Sequence, residues 1–524
     1  MALLEAHRLK MFERDRMLFD VDHLRIYPND RIGLVGKNGS GKTTLLMTLA
    51  GLKNPEEGYV TVRASFQYIP QFKGKHGTKS GGERTQKYLI HALSKQPELL
   101  LLDEPTTHLD TNHIEWLEKK LSRWPGAFVV VSHDRAFLDA ICTTIWEIDA
   151  GKVNIYAGNY TDYANQKEWE RKQHQLAYEK YVQKKKQLEE ALRLKEQKAQ
   201  RAAKAPKNVS ASEAKITGAK PYFAKKQKKL HQTAKSIQTR LEKLEKVEKV
   251  KEEPPVKMDV LHGDTVKGKI VLRVQDLSGM MGSRLLWKPA SFEVRGGDKL
   301  AVLGPNGCGK TTLLKKIVKQ REGVSLSPSV KLGYFSQDLT VLCAEQTVLD
   351  NVRSTSKQDE TLIRTVLGRL HFIRDDVYKP VGVLSGGERV KVALAKVFLS
   401  DVNVLILDEP TNYLDIAAVT ALESLLKEYE GTLIFATHDR RLVQTVATRI
   451  LTFEQGDIKL FDGPYRHYTE RHARKNGDED KEKRRLLVET KLTEVLSRLS
   501  LGPSEDLERE FERLLAEKKR LEGE

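Results

Sequence analysis

The chain has 524 residues, room for two or three domains with sizeable cores. It is 39% hydrophobic and 31% charged, and its longest apolar runs are as short as Ala127–Val131, which excludes a membrane-spanning helix of about 20 residues. Three cysteines (Cys142, Cys308, Cys343) form no spaced cluster, which argues against a disulfide framework or a zinc site and fits a reducing compartment; the N-terminus shows no apolar signal core, so a cytoplasmic location is expected.

The first predicted strand of note, Arg31–Val35, runs into Gly36-Lys37-Asn38-Gly39-Ser40-Gly41-Lys42-Thr43, and a helix beginning Lys42-Thr43-Thr44-Leu45 leaves it. This strand–loop–helix context makes the G-x-x-x-x-G-K-T pattern a phosphate cradle. Glycines let backbone N–H groups approach the phosphates, and the helix adds its positive dipole end. Lys42 is expected on the β/γ-phosphates and Thr43 on Mg²⁺. Ser80-Gly81-Gly82-Glu83 has the Ser-x-x-Glu spacing of a capping box and opens the next helix. The strand Leu99-Leu100-Leu101-Leu102 is apolar throughout, as a buried parallel strand is, and ends in Asp103-Glu104. Its first carboxylate suits a Mg²⁺ shell and its second an attacking water. His133 follows 30 residues after Asp103, at the end of another apolar strand, and is placed at the γ-phosphate.

A basic insert comes next. Residues 171–240 hold 20 Lys/Arg against five Asp/Glu, and Glu213 is the only acid between Gln197 and Arg240. Most of the net charge of +17 therefore sits in one segment, which points to a polyanion partner. Helical spacing is expected from about Glu168 to Lys204, with Tyr181, Leu188, Leu192, Ala199 and Ala202 on one face. Leu230, Ala234, Ile237, Leu241 and Leu244 step by 4,3,4,3 on the return, a coiled-coil seam. Proline and glycine break the helix between them, so the segment reads as a helical hairpin with a tip near 206–223 and an arm of roughly 55 Å. Lys207, Ser210, Ser212, Lys215, Lys220, Tyr222 and Phe223 are the candidate tip residues. The lysines would meet RNA phosphates, and the two rings would either stack on bases or close the hairpin seam.

Every mark then recurs in the same order. A second loop, Gly304-Pro305-Asn306-Gly307-Cys308-Gly309-Lys310-Thr311-Thr312, is followed by Ser385-Gly386-Gly387-Glu388, by Asp408-Glu409 and by His438. Ser80 and Ser385, Asp103 and Asp408, and His133 and His438 share one offset of 305 residues. Upstream the register breaks. Nine residues separate Gln71 from Ser80, but 48 separate Gln337 from Ser385. Past residue 472 a charged tail carries a second, shorter helical pair around Gly502-Pro503.

Together these motifs resemble the ATP-binding cassette superfamily over roughly 1–160 and 265–470. The resemblance implies an α/β fold, two ABC-type P-loop ATPase domains in tandem, joined by a long α-helical hairpin. The expected divisions are 1–165, 166–260, 261–472 and 473–524. It also implies an ATPase that sandwiches two ATPs head to tail, each between one P-loop and the other cassette's Ser-Gly-Gly-Glu helix. Gln71 and Gln337 match the glutamine that senses Mg²⁺, while Asp110 and Asp415 match the aspartate after the strand carboxylates. Glu104, Glu409, His133 and His438 are the expected catalytic groups. The 39 residues missing from the first cassette are where other cassettes place a helical subdomain, the docking surface of transporter cassettes.

Twin cassettes around a basic hairpin are similar to the ABC-F family, and within it to the Vga-type ribosome-protection members. The truncated first cassette, Lys79-Ser80-Gly81-Gly82-Glu83 and Gly218-Ala219-Lys220-Pro221-Tyr222-Phe223 carry that likeness. Thr107, Tyr413 and Cys308 depart from the family's usual Asn, His and Ser or Ala, and Lys79 from leucine. What the resemblance implies is a monomer binding the exit site of the bacterial 70S ribosome, against 23S rRNA and P-site tRNA. There it would protect the peptidyl-transferase centre from lincosamides, streptogramin A and pleuromutilins. The alternatives are an ABC-F factor acting on stalled ribosomes without resistance, and the ATPase subunit of a membrane importer. No strong adenine-stacking aromatic precedes either P-loop; Phe12 is the weak candidate.

Overall fold

The computed structural model describes residues 1–13, 16–71, 81–107, 109–202, 219–246, 267–336, 339, 341–472, 488, 490–497, 509, 511–516 and 518. Residues 81–84, 202, 219–224, 226 and 227 are described by backbone alone. Two compact units divide the chain, Met1–Tyr156 with Pro255–Glu524, and Ala157–Pro254.

In the first cassette, β1 (Leu4–Glu13) pairs antiparallel with β2 (Arg16–Ile26) and with β4 (Glu57–Val62). A six-stranded sheet runs in the order β5-β6-β7-β3-β8-β9. Its strands are β3 (Arg31–Gly36), β5 (Phe66–Ile69), β6 (Leu99–Asp103), β7 (Ala127–Val131), β8 (Thr144–Asp149) and β9 (Lys152–Ala157). Strands β5, β6, β7, β3 and β8 are parallel neighbours. Every residue of β6 and β7 is buried, as their unbroken apolar sequence requires of a strand covered on both faces. Helices α1 (Lys42–Leu49), α2 (Gly81–Ser94), α3 (Thr111–Ser122) and α4 (Arg135–Ile141) complete the cassette. Leu45, Leu46 and Leu49 of α1 join the core beneath β1 and β2.

The second compact unit is a helical hairpin of α5 (Tyr160–Ala202) and α6 (Ala219–Glu242). At about 1.5 Å per residue, the 43 residues of α5 reach roughly 65 Å. The outgoing helix begins eight residues before the expected Glu168. A capping box explains why: Asn159 Oδ1 accepts from the Asp162 amide at 3.0 Å, and Asp162 Oδ2 accepts from the Asn159 amide at 3.1 Å. The return helix also starts earlier than expected, so Lys220, Pro221 and Tyr222 lie in its first turn, and Phe223 directly after it, and not in the loop. Proline is tolerated there because a first-turn amide has no partner to lose. Lys207, Ser210, Ser212 and Lys215 lie outside the described residues. The seam follows the 4,3,4,3 spacing. Ala234 is buried, Leu230, Ile237, Leu241 and Leu244 are half-buried, and the α6 positions between them are exposed. Opposite, Ala199 is fully buried and Tyr181, Leu188 and Leu192 half-buried.

The second cassette repeats the plan. β10 (Ile270–Met281) pairs antiparallel with β11 (Arg284–Arg295) and with β13 (Val324–Leu326). The main sheet runs β14-β15-β16-β12-β17-β18. It comprises β12 (Lys299–Leu303), β14 (Leu332–Phe335), β15 (Val404–Asp408), β16 (Thr432–Ala436), β17 (Arg449–Glu454) and the antiparallel β18 (Asp457–Asp462). Its helices are α7 (Lys310–Val318), α8 (Val348–Arg353), α9 (Glu360–Arg369), α10 (Gly386–Phe398), α11 (Ile416–Glu428) and α12 (Arg440–Val446).

The spacing difference now has a body. Residues 336–385 lie between β14 and α10 and contain α8 and α9, whose Val348, Val352, Ile363, Val366 and Leu367 pack into the core shared with α10. Only residues 70–80 separate β5 from α2. Helix α10 is accordingly buried at every position from Val390 to Ala395 and again at Val397 and Phe398. On α2, Thr85, Leu89 and Ala92 are buried while Tyr88 and Ile90 are exposed. In the tail, residues 490–497 and 511–516 are helical, and Val488, Leu492, Val495 and Leu514 form a small core of their own.

Candidate active site

Both phosphate loops follow the central strand of their sheet and close on a glycine in the left-handed region, Gly41 at φ +96° and Gly309 at φ +107°. A Cβ on Gly309 would stand 2.5 Å from the Trp287 ring, and one on Gly41 3.2 Å from Leu18. Backbone conformation and packing both exclude a side chain at Gly309, and at Gly41 the left-handed backbone alone favours glycine. The loop lysines fold onto their own loops. Lys42 Nζ donates to the carbonyls of Gly36 (2.8 Å) and Lys37 (2.9 Å), and Lys310 Nζ to those of Gly304 (2.9 Å) and Pro305 (3.3 Å). Burial lowers the Lys42 ammonium, while Glu104, Asp415 and Asp103 pull it back up.

The strand ends bring the acids to these loops. Glu104 and Glu409 each sit in the left-handed region, at φ +49° and +48°, a conformation that costs a non-glycine residue of order 1–3 kcal/mol. Their amides are held by the neighbouring strands, Glu104 N–H on Val131 O and Glu409 N–H on Ala436 O, each at 2.9 Å. Burial pushes both carboxyls up to about 7, against the opposing pull of Lys42 and Lys310. Neither Oε1 takes a well-formed hydrogen bond within the protein, although His133 Nε2 lies 3.2 Å from Glu104 and His438 Nε2 3.4 Å from Glu409. Burial also drives both histidines down to about 3, so each is neutral, and His438 Nε2 accepts from Lys310 Nζ at 3.0 Å. Thr311 Oγ1 donates to Asp408 Oδ1 at 3.1 Å. In the first cassette, Thr43, Thr44, Gln71, Asp103, Glu104 and His133 line one cavity of about 210 Å³ with Lys42.

The two cassettes meet head to tail across these sites. Asp110 caps α3 through Oδ1, which accepts from the His113 amide at 3.0 Å. Its Oδ2 accepts from the Asn306 amide of the second P-loop, also at 3.0 Å. Asp415 does the same in reverse, capping α11 through the Ala418 amide (2.9 Å) and accepting from the Asn38 amide of the first P-loop (3.1 Å). Asn38 Nδ2 also donates to the Tyr413 carbonyl at 3.2 Å. Burial raises both aspartates, but the donors around them outweigh it and hold each below the ordinary carboxylate range. Their contribution to closure is therefore present above about pH 4 and is lost as pH falls through the lower folded-state values.

Around the pseudo-twofold relating the cassettes, Arg135 pairs with Glu423 and donates to Thr420 Oγ1 at 3.2 Å, while Arg440 pairs with Glu118. A Cβ on Gly387 would come 2.8 Å from the Tyr413 carbonyl and 3.2 Å from Asn38 Nδ2, so the second signature loop lies against the first P-loop. Ser385 and Glu388 form the expected reciprocal capping box at the start of α10. A cavity of about 730 Å³ opens between the cassettes, lined by Asn38, Glu104, His133, Lys310, Glu409 and His438 among others.

Some expected residues are not placed in this geometry. Ser80 and Gln337 lie outside the described residues, and Gly81, Gly82 and Glu83 are described by backbone alone, as the first turn of α2. Phe12 lines neither cavity. Glu13 and Leu18 line the first, and Met281 and Leu286 stand 268 residues on at the second, the same offset as the two P-loops. The signal that would have found them is that offset, applied to the hairpin ahead of each loop. The Arg135–Glu423 and Arg440–Glu118 pairs also escaped the sequence reading, although Asp-Arg follows the histidine in both copies.

A family model described as ABC transporter matches residues 19–73 and 287–412. The chain is 32% identical to the ribosome protection protein VmlR of Bacillus subtilis, over 94% of this chain and 92% of that one. It is 34% identical to the erythromycin resistance ATP-binding protein MsrA of Staphylococcus epidermidis, over 85% of this chain and 97% of the other. The chain belongs to the ABC-F-type ATPases. It hydrolyses ATP, the activity of the cassette pair that this family shares. Among solved structures, this ABC-F chain has the fold of an RNase-L inhibitor at TM-score 0.54 and 17% identity, covering 89% of this chain and 92% of that one. A model of ribosome-bound archaeal Pelota and ABCE1 matches at TM-score 0.56 and 20% identity, covering 87% and 78%. No helix among the described residues is long and apolar enough to cross a membrane.

Proposed function

We propose that this ATPase is a cytoplasmic monomer that binds the bacterial 70S ribosome at its exit site, in contact with 23S rRNA and P-site tRNA. There it protects the peptidyl-transferase centre from lincosamide, streptogramin A and pleuromutilin antibiotics. The observation that carries the reading is the basic helical hairpin that joins the two cassettes in sequence, in a chain similar over 94% of its length to a ribosome protection protein. ATP closes the cassettes, the closed form fits the ribosome, and the hairpin tip perturbs the drug site. Hydrolysis then reopens the pair and times release.

Within each site, Lys42 and His133, or Lys310 and His438, stabilise charge on the γ-phosphate, and Glu104 or Glu409 orients the attacking water. The backbone of 36–44 and 304–312 cradles the phosphates. The helix starts at Ser80-Gly81-Gly82-Glu83 and Ser385-Gly386-Gly387-Glu388 complete each site from the opposite cassette. Thr43, Gln71 and Asp103, and Thr311, Gln337 and Asp408, would hold Mg²⁺. The hydroxyl–carboxylate pair Thr311–Asp408 suits a hard cation that takes its other oxygens from phosphate and water. Bound there, Mg²⁺ would neutralise phosphate charge.

Expression in a susceptible bacterium should raise the inhibitory concentrations of lincomycin, virginiamycin M and tiamulin, with erythromycin as a further arm because MsrA is named for that drug. Unchanged sensitivity to all four would remove the resistance reading and leave a factor acting on stalled ribosomes. Purified chain should also bind ribosomes with a steep salt dependence, losing about a hundredfold or more in affinity between roughly 50 and 200 mM salt. A flat dependence would remove RNA as the hairpin's partner.

A further inference from the structure

The two ATP sites differ in what holds the aspartate that crosses between cassettes. Asp415 reaches the first P-loop through Asn38 N and is faced by Lys391, whose buried Nζ lies 3.8 Å from the same Oδ2. Lys391 stands on α10, the helix that the second signature sequence opens, so P-loop, aspartate and signature helix are tied by one ammonium. The position equivalent to Lys391 in the first cassette is Gln86 on α2, which carries no charge. Asp110 reaches the second P-loop through Asn306 N and is held instead by His113, whose Nδ1 lies 2.6 Å from Oδ1. His113 belongs to α3 itself, and its equivalent in the second cassette is Ala418. Each cassette thus carries one aspartate clamp that the other lacks. One clamp runs to the signature helix and the other does not.

We propose that Lys391 and His113 are positioning residues, each acting through its aspartate on one ATP site and so making the two sites unequal. Lys391 serves the site of the first P-loop. It aligns the Asn38 amide and couples it to movement of α10. His113 serves the site of the second P-loop by fixing the rotamer of Asp110, with no link to α2. Neither touches nucleotide. Their effect is on how well the preformed amides at Asn38 and Asn306 meet ATP, and hence on KM more than on kcat.

The proposal rests on the reading of Glu104 and Glu409 as the hydrolytic residues, so the test isolates each site with them. Glu409→Gln leaves the first site reporting, and Glu104→Gln the second. Lys391→Gln should raise the ATP KM about five- to tenfold in the Glu409→Gln chain, and less than about twofold in the Glu104→Gln chain. His113→Ala should show the reverse pattern. Lys391→Arg and His113→Asn, which keep a donor facing the carboxylate, should restore most of the loss. Equal effects of either change on both sites, or a fall in kcat with KM unmoved, would overturn the proposal. So would failure of both conservative variants to rescue. Should Lys391→Gln lower folding yield because the lysine is buried, the half-exposed His113 pair of variants still decides the matter. If neither Glu→Gln chain loses turnover to begin with, the assignment of the hydrolytic residues fails, a result distinct from failure of the clamps.

Discussion

A chain carrying both Glu104→Gln and Glu409→Gln will retain ATP while its turnover falls by about two to three orders of magnitude, a loss of the size seen when one positioned polar group is removed from an active site. Both carboxylates end apolar strands whose residues are buried throughout, and each presents an Oε1 without a well-formed hydrogen bond inside the protein. A buried acceptor of this kind is costly unless something arrives to use it, and an attacking water is the natural occupant. Glutamine keeps the shape and tolerates the left-handed backbone about as well as glutamate, so the fold should survive. Glutamine lacks the charge that draws and aligns the water. Phosphate release measured beside retention of labelled ATP checks the first half of this expectation. Sedimentation with ribosomes checks the second, since the ATP-loaded chain should remain bound where the unaltered one dissociates. A double variant that pellets free of ribosomes with ATP present would break the proposed cycle.

Reversing the charge at Arg135 should cripple closure nearly as severely. Arg135 and Glu423 are both buried, at 4% and 7% exposure, and they belong to different cassettes. Removing one partner of such a pair costs about 3–5 kcal/mol, because the other charge is left desolvated and alone. Arg135→Glu adds repulsion and places a third acid near Asp134, which burial and the facing Asp439 already push up to about 6. ATP-driven closure, read by fluorescence transfer between labels on the two cassettes, should be lost at nucleotide concentrations that close the unaltered protein. The double change Arg135→Glu with Glu423→Arg should recover much of it, since the pair is re-formed in the opposite sense. Recovery absent from the double variant, with both proteins folded, would mean the pair is not an interface contact in solution. Arg440→Glu against Glu118 offers the same test from the other side of the pseudo-twofold.

The buried parallel strands and the phosphate loops were legible because they obey local rules. Unbroken apolar runs at Leu99–Leu102 and Ala127–Val131 have to be buried parallel strands, and glycine spacing at 36–41 and 304–309 has to be a phosphate loop. The shared offset of 305 residues matches Glu104 with Glu409 and His133 with His438 from the sequence alone. Helix ends were read less well. The start of α5 is set by a capping box at Asn159 and Asp162 that lies outside the basic segment, and Pro221 looked like a helix breaker when it occupies a first turn that accepts it. Least legible were the contacts between cassettes. Nothing in the one-dimensional pattern says that Arg135 should seek Glu423, because their partnership depends on the head-to-tail docking of two folded bodies. Leu18 and Leu286, which line the two cavities, were illegible for a related reason: an aliphatic side chain carries no signature of a binding site, as an aromatic ring ahead of a P-loop would.

The shortening of the first cassette has a consequence for timing. From Val390 to Ala395 helix α10 is buried on all sides, whereas α2 is moored by Thr85, Leu89 and Ala92 with Tyr88 and Ile90 facing outward. Local opening free energy follows burial, so amide protons across 85–94 will exchange faster than those across 386–398. The two halves of the clasp are therefore expected to differ in lifetime. The half that closes on α2 is expected to let go first, which would give the ATPase cycle a direction that two identical cassettes would not possess.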